Sequence, residues 1–348
     1  MLAPSEFVNT TGYLNTTTYG LPPKATLRAL RRASDQWANR AGWMVWEEDG
    51  EECRGLFASL VGVSATNIAL MPAVSLAAGL VAASLPVGPG DNIVIHESDF
   101  TSTVLAFDAL TSRGVEIRRA PLDGLVGAAD ENTALVAVSL VQSADGRVAD
   151  IEALARTGAR LFVDGSQAVG AVEVDASEID YFACHAYKWL LCPRGLGFLS
   201  IRDDRLHELT PFLSGWKARS DPYERFYGIP DTLTDDARLH DVSLSWFAAA
   251  GARESLALIL SLGPETIAAH NISLAREFTT ALDLDGPESP IVQVTVTDPS
   301  KVRERLEAAG VSCAVRDGSI RVAFHLYNDS NDVALAVGEL KAAGERNT

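Results

Sequence analysis

Short apolar runs alternate along the chain with stretches of helical spacing. Six runs stand out: "NIVIH" at 92–96, "VEIRRA" at 115–120, "ALVAVSLV" at 134–141, "RLFVD" at 160–164, "YFACH" at 181–185 and "LGFLSI" at 196–201. Most are continuous rather than alternating, which predicts strands buried on both faces. Helical patterns such as "STVLAFDALTSRG" at 102–114 and "DIEALARTGA" at 150–159 lie between them. Strand, helix and strand in that order predict crossover units and a mostly parallel sheet, hence an α/β fold. Beyond "LGPETIAAHNISLAREFTTAL" at 262–282 the pattern changes. "PIVQVTVTD" alternates, "PSKVRERLEAAG" is amphipathic and ends at Gly310, and "SIRVAF" precedes the helix "NDVALAVGELKAAG". This predicts a small α+β domain at 255–348, after a large domain at 21–254 and an N-terminal segment at 1–20. The stretch 203–240 carries Pro211, Pro222 and Pro230 and predicts irregular chain that serves surface or dimer contacts.

Composition narrows the classes. The 348 residues are 47% hydrophobic, and the net charge is −17 with 46 acidic against 29 basic side chains. Nucleic acid is disfavoured as a partner, because its backbone requires a basic face. The first residues, "MLAPSEFVNTTGYLN", have neither a basic start nor an apolar stretch, so no secretory signal is expected. No apolar run approaches the ~18 residues of a membrane span. Cys53, Cys184, Cys192 and Cys313 form no C-x-x-C pair and read as reduced, buried thiols, so a cytoplasmic location is expected.

Candidate chemistry begins with Lys188. Of the five lysines it alone sits in an apolar run, between Tyr187 and Trp189. Burial lowers an amine's pKa and makes it nucleophilic. Taken alone, it reads more readily as a snorkelling lysine at a strand end. Asp164 closes the run "RLFVD" and alone reads as a turn cap. Together they say more, since α/β sheets bind ligands at strand carboxyl ends. An amine that forms an imine, with an acid facing a pyridine nitrogen, is what pyridoxal 5'-phosphate requires. Ala73, Val74 and Ser75 in "MPAVSLAAGL" open a predicted helix whose free N–H groups suit a phosphate.

"VDGSQAVG", "YFACHAYKWLLCPRGLGFL" and "RVAFHLYN" together resemble the class V aminotransferase group of fold-type-I pyridoxal-phosphate enzymes. That group includes kynureninases, isopenicillin-N-epimerase-like proteins and cysteine desulfurases. The resemblance runs from "TGYLNTTTYGLPP" to "IRVAFHLYNDSNDV" and implies a large domain with a mostly parallel seven-stranded sheet plus the small C-terminal domain. It implies catalytic roles for Lys188, as the Schiff-base lysine, and for Asp164, on the ring nitrogen. It places Gln167 near the ring's phenolic oxygen, Phe100 stacked on the ring, and Ser143 near the cofactor. His185 and Tyr187 join Ala73–Ser75 at the phosphate, with Ser243 reaching across from a second subunit. Trp216, beside Gly215, borders the cofactor, also from the neighbouring subunit. Arg321 would hold the substrate carboxylate, with Asn15 and Thr16 bordering the same pocket.

The implied protein is a homodimer that acts on an amino acid or amino-acid conjugate by transamination. β-Elimination from a cysteine conjugate, epimerisation and decarboxylation remain alternatives. A relative that keeps the fold without catalysis is disfavoured by the retained Lys188, Asp164, Gln167 and Arg321. A desulfurase is disfavoured as well, because Cys313 alternates with Val311 and Val315 and reads as a packed thiol. No metal site is expected, because Cys184 and His185 are strand neighbours that point to opposite faces. Tyr19, His325 and Tyr327 are the candidates for a second acid–base group.

Overall fold

A computed structural model of the chain describes residues 1–344, so the last four residues of the expected small domain lie outside the described residues. In chain order the elements are α1 (Lys24–Ala38), α2 (Met44–Leu60), β1 (Ile68–Met71), α3 (Val74–Ser84), β2 (Asn92–His96), α4 (Thr101–Asp108), β3 (Glu116–Ala120), α5 (Leu125–Ala128), β4 (Thr133–Ser139), α6 (Ile151–Ala155), β5 (Arg160–Asp164), β6 (Tyr181–His185), β7 (Gly197–Ile201), α7 (Trp246–Leu262), α8 (Pro264–Ala281), β8 (Ile291–Val294), α9 (Pro299–Ala308), β9 (Ala314–Arg316), β10 (Ser319–Ala323) and α10 (Ser330–Ala342).

Seven strands form one sheet in the order β1-β7-β6-β5-β4-β2-β3. Only β7 runs against its neighbours, pairing antiparallel with both β6 and β1. The interior strands β4, β5 and β7 are buried except at Ala134 and Arg160 near their starts, as their unbroken apolar runs require. One expectation needs correction. "VEIRRA" is an edge strand with Glu116 and Arg119 exposed, and such charges keep an open edge from pairing with another chain. A seventh strand, β1, comes from "IALM", four apolar residues stopped by Pro72.

Both sheet faces are covered. Phe57, Leu256 and Ile259 from α2 and α7 pack on one side, and Val74, Ala78, Val81 and Phe107 from α3 and α4 on the other. The C-terminal part builds its own core around a three-stranded antiparallel sheet, β8-β10-β9. The boundary expected at 254/255 falls inside α7. The first break in that helical stretch is at Gly263, whose φ of 84° ends α7, with Pro264 opening α8.

The N-terminal segment ties the two cores together. Leu14 is fully buried in the small core, and its carbonyl accepts from the Ala323 N–H. Six residues on, the Gly20 N–H donates to the Tyr187 carbonyl at 2.9 Å. A Cβ at Gly20 would stand 2.1 Å from the Lys188 carbonyl oxygen, so only glycine lets the two chain segments approach this closely. Ala323, Ile291, Val141 and Trp189 form a small cluster between the cores.

Candidate active site

The carboxyl ends of β4, β5 and β6 converge, and the side chains there are polar where the strands are not. Lys188 follows β6 by three residues and is 6% exposed, set among Trp189, Leu190 and Leu191, which are fully buried. The Trp189 indole donates to Gln167 Oε1 at 2.8 Å, and Leu191 takes a left-handed φ of 58°. With Gly20 pressing from the other side, the lysine backbone is held rigidly. Its Nζ lies 5.3 Å from the Phe100 ring centroid and 6.0 Å from that of Tyr187. Among the described residues, no ion pair or hydrogen bond involves this amine. Burial lowers its pKa, Asp164 acts in the opposite sense, and the charges of Arg321 and Arg316 reinforce the lowering.

Lys217 corrects the view that Lys188 is the one embedded lysine. Lys217 is equally buried but ion-paired, 2.6 Å from Glu47 and 3.1 Å from Glu51. Pairing, rather than burial, distinguishes the two amines.

Asp164 ends β5, with its carboxylate buried and accepting from Thr103 Oγ1 at 3.0 Å and the Ser166 N–H at 2.8 Å. Thr103 lies on α4 behind Phe100. The loop between β2 and α4 is tied down by Asp99, which accepts from the Ser139 N–H at 2.7 Å, Ser139 Oγ at 2.5 Å, Gln142 Nε2 at 3.2 Å and the Phe100 N–H at 2.6 Å. Phe100, half exposed as the N-cap of α4, is thereby fixed beside Lys188. Thr103 and Asp99 carry no signal in the sequence beyond polar side chains around the start of a helix.

His185 faces the start of α3. The Val74 N–H donates to His185 Nε2 at 3.3 Å, which assigns the remaining ring proton to Nδ1, a buried donor without a partner. Burial pushes the imidazole pKa down to about 4, so the ring is neutral at pH 7. Ala73 is the N-cap of the eleven-residue α3 and offers no side-chain cap. The Tyr187 ring lies 5.0 Å from that of His185, and the Arg194 guanidinium 5.1 Å over the Tyr187 ring. A helix start without a side-chain cap, its Val74 N–H turned to a neutral imidazole, suits a phosphate, with the Arg194 cation over the neighbouring Tyr187 ring.

Arg321 is on β10, the central strand of the small sheet, and is 2% exposed. Its Nη1 donates to the Ser143 carbonyl at 2.6 Å and its Nη2 to Thr18 Oγ1 at 3.2 Å. Its Nε is buried without a partner, and among the described residues no carboxylate pairs with it. Burial, then the charge of Arg316, lowers its pKa to about 9, so it remains cationic at pH 7. Asn15 stands one step back, accepting from the Thr18 hydroxyl at 2.7 Å. Thr16 is fully buried, and its hydroxyl is bonded to that of Tyr327, so the threonine that reaches Arg321 is Thr18.

The remaining sequence candidates divide. The Gln167 amide bridges Trp189 and the Thr17 carbonyl, 3.1 Å from its Nε2. Ser143 contributes its carbonyl, and the adjacent Gln142 turns to Asp99. Trp216 and Ser243 lie elsewhere: with Trp43, Phe226 and Trp246 they line a cavity of about 390 Å³ that no residue of the Lys188 cluster borders. His325 is fully buried against Trp189, its Nε2 2.9 Å from the Trp189 carbonyl oxygen. Burial pushes the Cys313 thiol up to about 11, well away from a thiolate nucleophile. Among the described residues, no cluster of His, Cys, Asp and Glu could hold a metal, and no helix is long and apolar enough to cross a membrane.

An unpaired buried amine, a carboxylate at the next strand end, a phosphate-ready helix start and an unpaired arginine fit pyridoxal 5'-phosphate with an amino-acid substrate. The fold and these donors define a fold-type-I pyridoxal-phosphate enzyme. The chain belongs to the aminotransferase class-V family, whose pattern matches residues 45–335. It is 28% identical over 320 residues to the uncharacterized aminotransferase YcbU of Bacillus subtilis, covering 86% of this chain and 85% of that one. It is likewise 28% identical over 327 residues to a probable cysteine desulfurase of Methanothermobacter thermautotrophicus, covering 82% and 81%. Among solved structures, a lysine-to-alanine mutant of C-DES with glycine covalently linked to its PLP cofactor superposes with a TM-score of 0.86. That match has 20% identity and covers 95% of this chain and 96% of the other.

Proposed function

We propose that Lys188 is the covalent attachment point of pyridoxal phosphate and that the protein transaminates an amino acid or amino-acid conjugate held by Arg321. The observation that carries this reading is the unpaired, buried Lys188 amine, 5.3 Å from the Phe100 ring centroid. Bound there, the cofactor supplies an electron sink for a bond broken at the substrate Cα. Asp164, fixed by Thr103 and Ser166, is the carboxylate that would hold a proton on the cofactor's ring nitrogen. The free edge of Arg321 grips the substrate carboxylate and so sets which Cα bond faces the ring. Lys188, whose pKa burial lowers, is the amine placed to take the Cα proton and hand it on.

Transamination needs one base, whereas epimerisation needs a second across the substrate. Phe100 stands beside Nζ and carries no proton, the Tyr327 hydroxyl is engaged by Thr16, and His325 is walled behind Trp189. Tyr19, half exposed with its ring 5.6 Å from that of Tyr13, is the remaining candidate, so this geometry counts against His325 and Tyr327 as the second base of an epimerase. The packed Cys313 disfavours the persulfide route of a desulfurase.

The test is spectroscopic first. Purified protein loaded with pyridoxal phosphate should show the visible band of a lysine-bound cofactor, quenched by borohydride, and Lys188→Ala should lose both band and turnover. With a panel of amino acids and a 2-oxo-acid acceptor, wild type should release the corresponding new oxo acid. Pyruvate and ammonia without an acceptor would instead identify an eliminating lyase. A borohydride adduct on any residue other than Lys188 would end the proposal.

A further inference from the structure

Arg316 makes no hydrogen bond or ion pair to the Lys188 cluster, although its charge bears on Lys188 and Arg321. It ends β9, next to the turn Asp317–Gly318, where both residues have left-handed φ, 46° and 72°. Its side chain is exposed, and its Nη1 donates to the neighbouring Val315 carbonyl at 2.7 Å. The chain carries 46 acidic side chains against 29 basic ones, yet among the described residues none pairs with Arg316.

The register of the hairpin says where this arginine points. Ser319 pairs with Arg316, Ile320 with Val315, and Arg321 with Ala314. Directly opposed residues share a face, and residues two apart on one strand share a face. Ile320 and Val315 belong to the small core, so they mark the inner face. Arg321, Ser319, Ala314 and Arg316 therefore share the other face, on which Arg321 meets Ser143 and Thr18. Ala314, directly across from Arg321, is too small to separate the two guanidinium groups. The charge of Arg316 is felt at both Lys188 and Arg321, in keeping with its place on that face.

A monocarboxylic amino acid uses one arginine. Two unpaired guanidinium groups on one face, one deep and one at the rim, match two anionic groups on one substrate. We propose that Arg316 is a specificity-determining residue that binds a side-chain carboxylate, so that the preferred substrates are dicarboxylic amino acids. Arg321 takes the α-carboxylate, and Arg316 the distal one. Ser319, buried between them on the same face, adds a hydroxyl to the path. The third unpaired arginine near the site, Arg194, lies over Tyr187 at the phosphate end and is not part of this pair.

This inference rests on the pyridoxal-phosphate reading above, and the test separates the two. The visible spectrum of the holoenzyme is titrated with L-aspartate, L-glutamate, L-asparagine, L-glutamine and L-alanine, and an apparent Kd is read for each. The acids should bind about tenfold or more tighter than their isosteric amides, as a charge-assisted contact at a partly solvated site predicts. Arg316→Met should weaken aspartate and glutamate about tenfold more than their amides, and Arg316→Lys should restore part of the difference. The side chain is exposed, so thermal melting of the variant should match wild type. Equal affinity for acids and amides in wild type overturns the inference, as does an Arg316→Met variant that weakens all five ligands alike. Absence of any visible band defeats the cofactor assignment itself, and this inference with it.

Discussion

Single side chains decide what the pocket can do, and His325 shows how. By residue type it is a candidate acid–base group, but in the fold it braces Trp189 and hence the lysine that follows Tyr187. Burial pushes its pKa down to about 3, below the ~6.5 of an unfolded chain. Protonation therefore favours the unfolded chain. Above pH ~6.5 both states are neutral there and the term vanishes. Below that pH the unfolded chain takes up a proton that the folded one refuses, and stability falls at about 1.4 kcal/mol per pH unit. Denaturant titrations of wild type and His325→Gln at pH 7 and about pH 5 should show wild type losing roughly 2 kcal/mol more than the variant. An unchanged difference between the two would mean that His325 is not buried as a neutral ring. The same scale shows the limits of residue type. Lys188 and Asp164 were legible because charge in an apolar run is rare. Thr18 was not, because its neighbours Thr16 and Thr17 are chemically identical and only the turn of the backbone selects which one meets Arg321.

At the scale of elements, the interior strands were legible because burial on both faces imposes unbroken apolar runs. β1 was harder, with four residues and a proline behind them, and the edge position of β3 could be told only from the sheet order. The N-terminal segment was legible only as a resemblance. It has neither strand nor helix periodicity, and its path is fixed by contacts to Ser312, Ala323 and Tyr187, distant in sequence. Gly20 is the point where that path is tightest. Gly20→Ala would put a methyl 2.1 Å from the Lys188 carbonyl and 2.5 Å from a Leu191 methyl. The expected cost is about 1–3 kcal/mol of stability, the usual range for overpacking. Because the displaced segment carries Thr18 and Asn15, affinity for amino substrates should fall too. Gly42→Ala, with open space around it, should be neutral in both assays. Calorimetry and spectral titration of the two variants check this, and equal behaviour would show that the segment is not clamped at Gly20.

Over the whole molecule, one surface remains unaccounted for by a single chain. Trp216, Phe226, Tyr223, Trp43 and Trp246 crowd together around the cavity that also holds Ser243. Nearby chain leaves Tyr227 and Ile229 81% and 93% exposed. The acidic net charge keeps such a chain soluble but does not cover the patch. We propose that a second copy covers it, and that Trp216 and Ser243 serve the partner's cofactor rather than their own. That division of labour has a consequence that a chain with a self-contained site would not share. Co-expressed, differently tagged chains, one carrying Lys188→Ala and the other Trp216→Ala with Ser243→Ala, should form mixed dimers with one intact site. Each variant alone should be nearly inactive, and the purified heterodimer should regain turnover. A heterodimer no more active than its parents, or a fully active monomer in sedimentation, would place the whole site within one chain and leave the aromatic surface to some other partner.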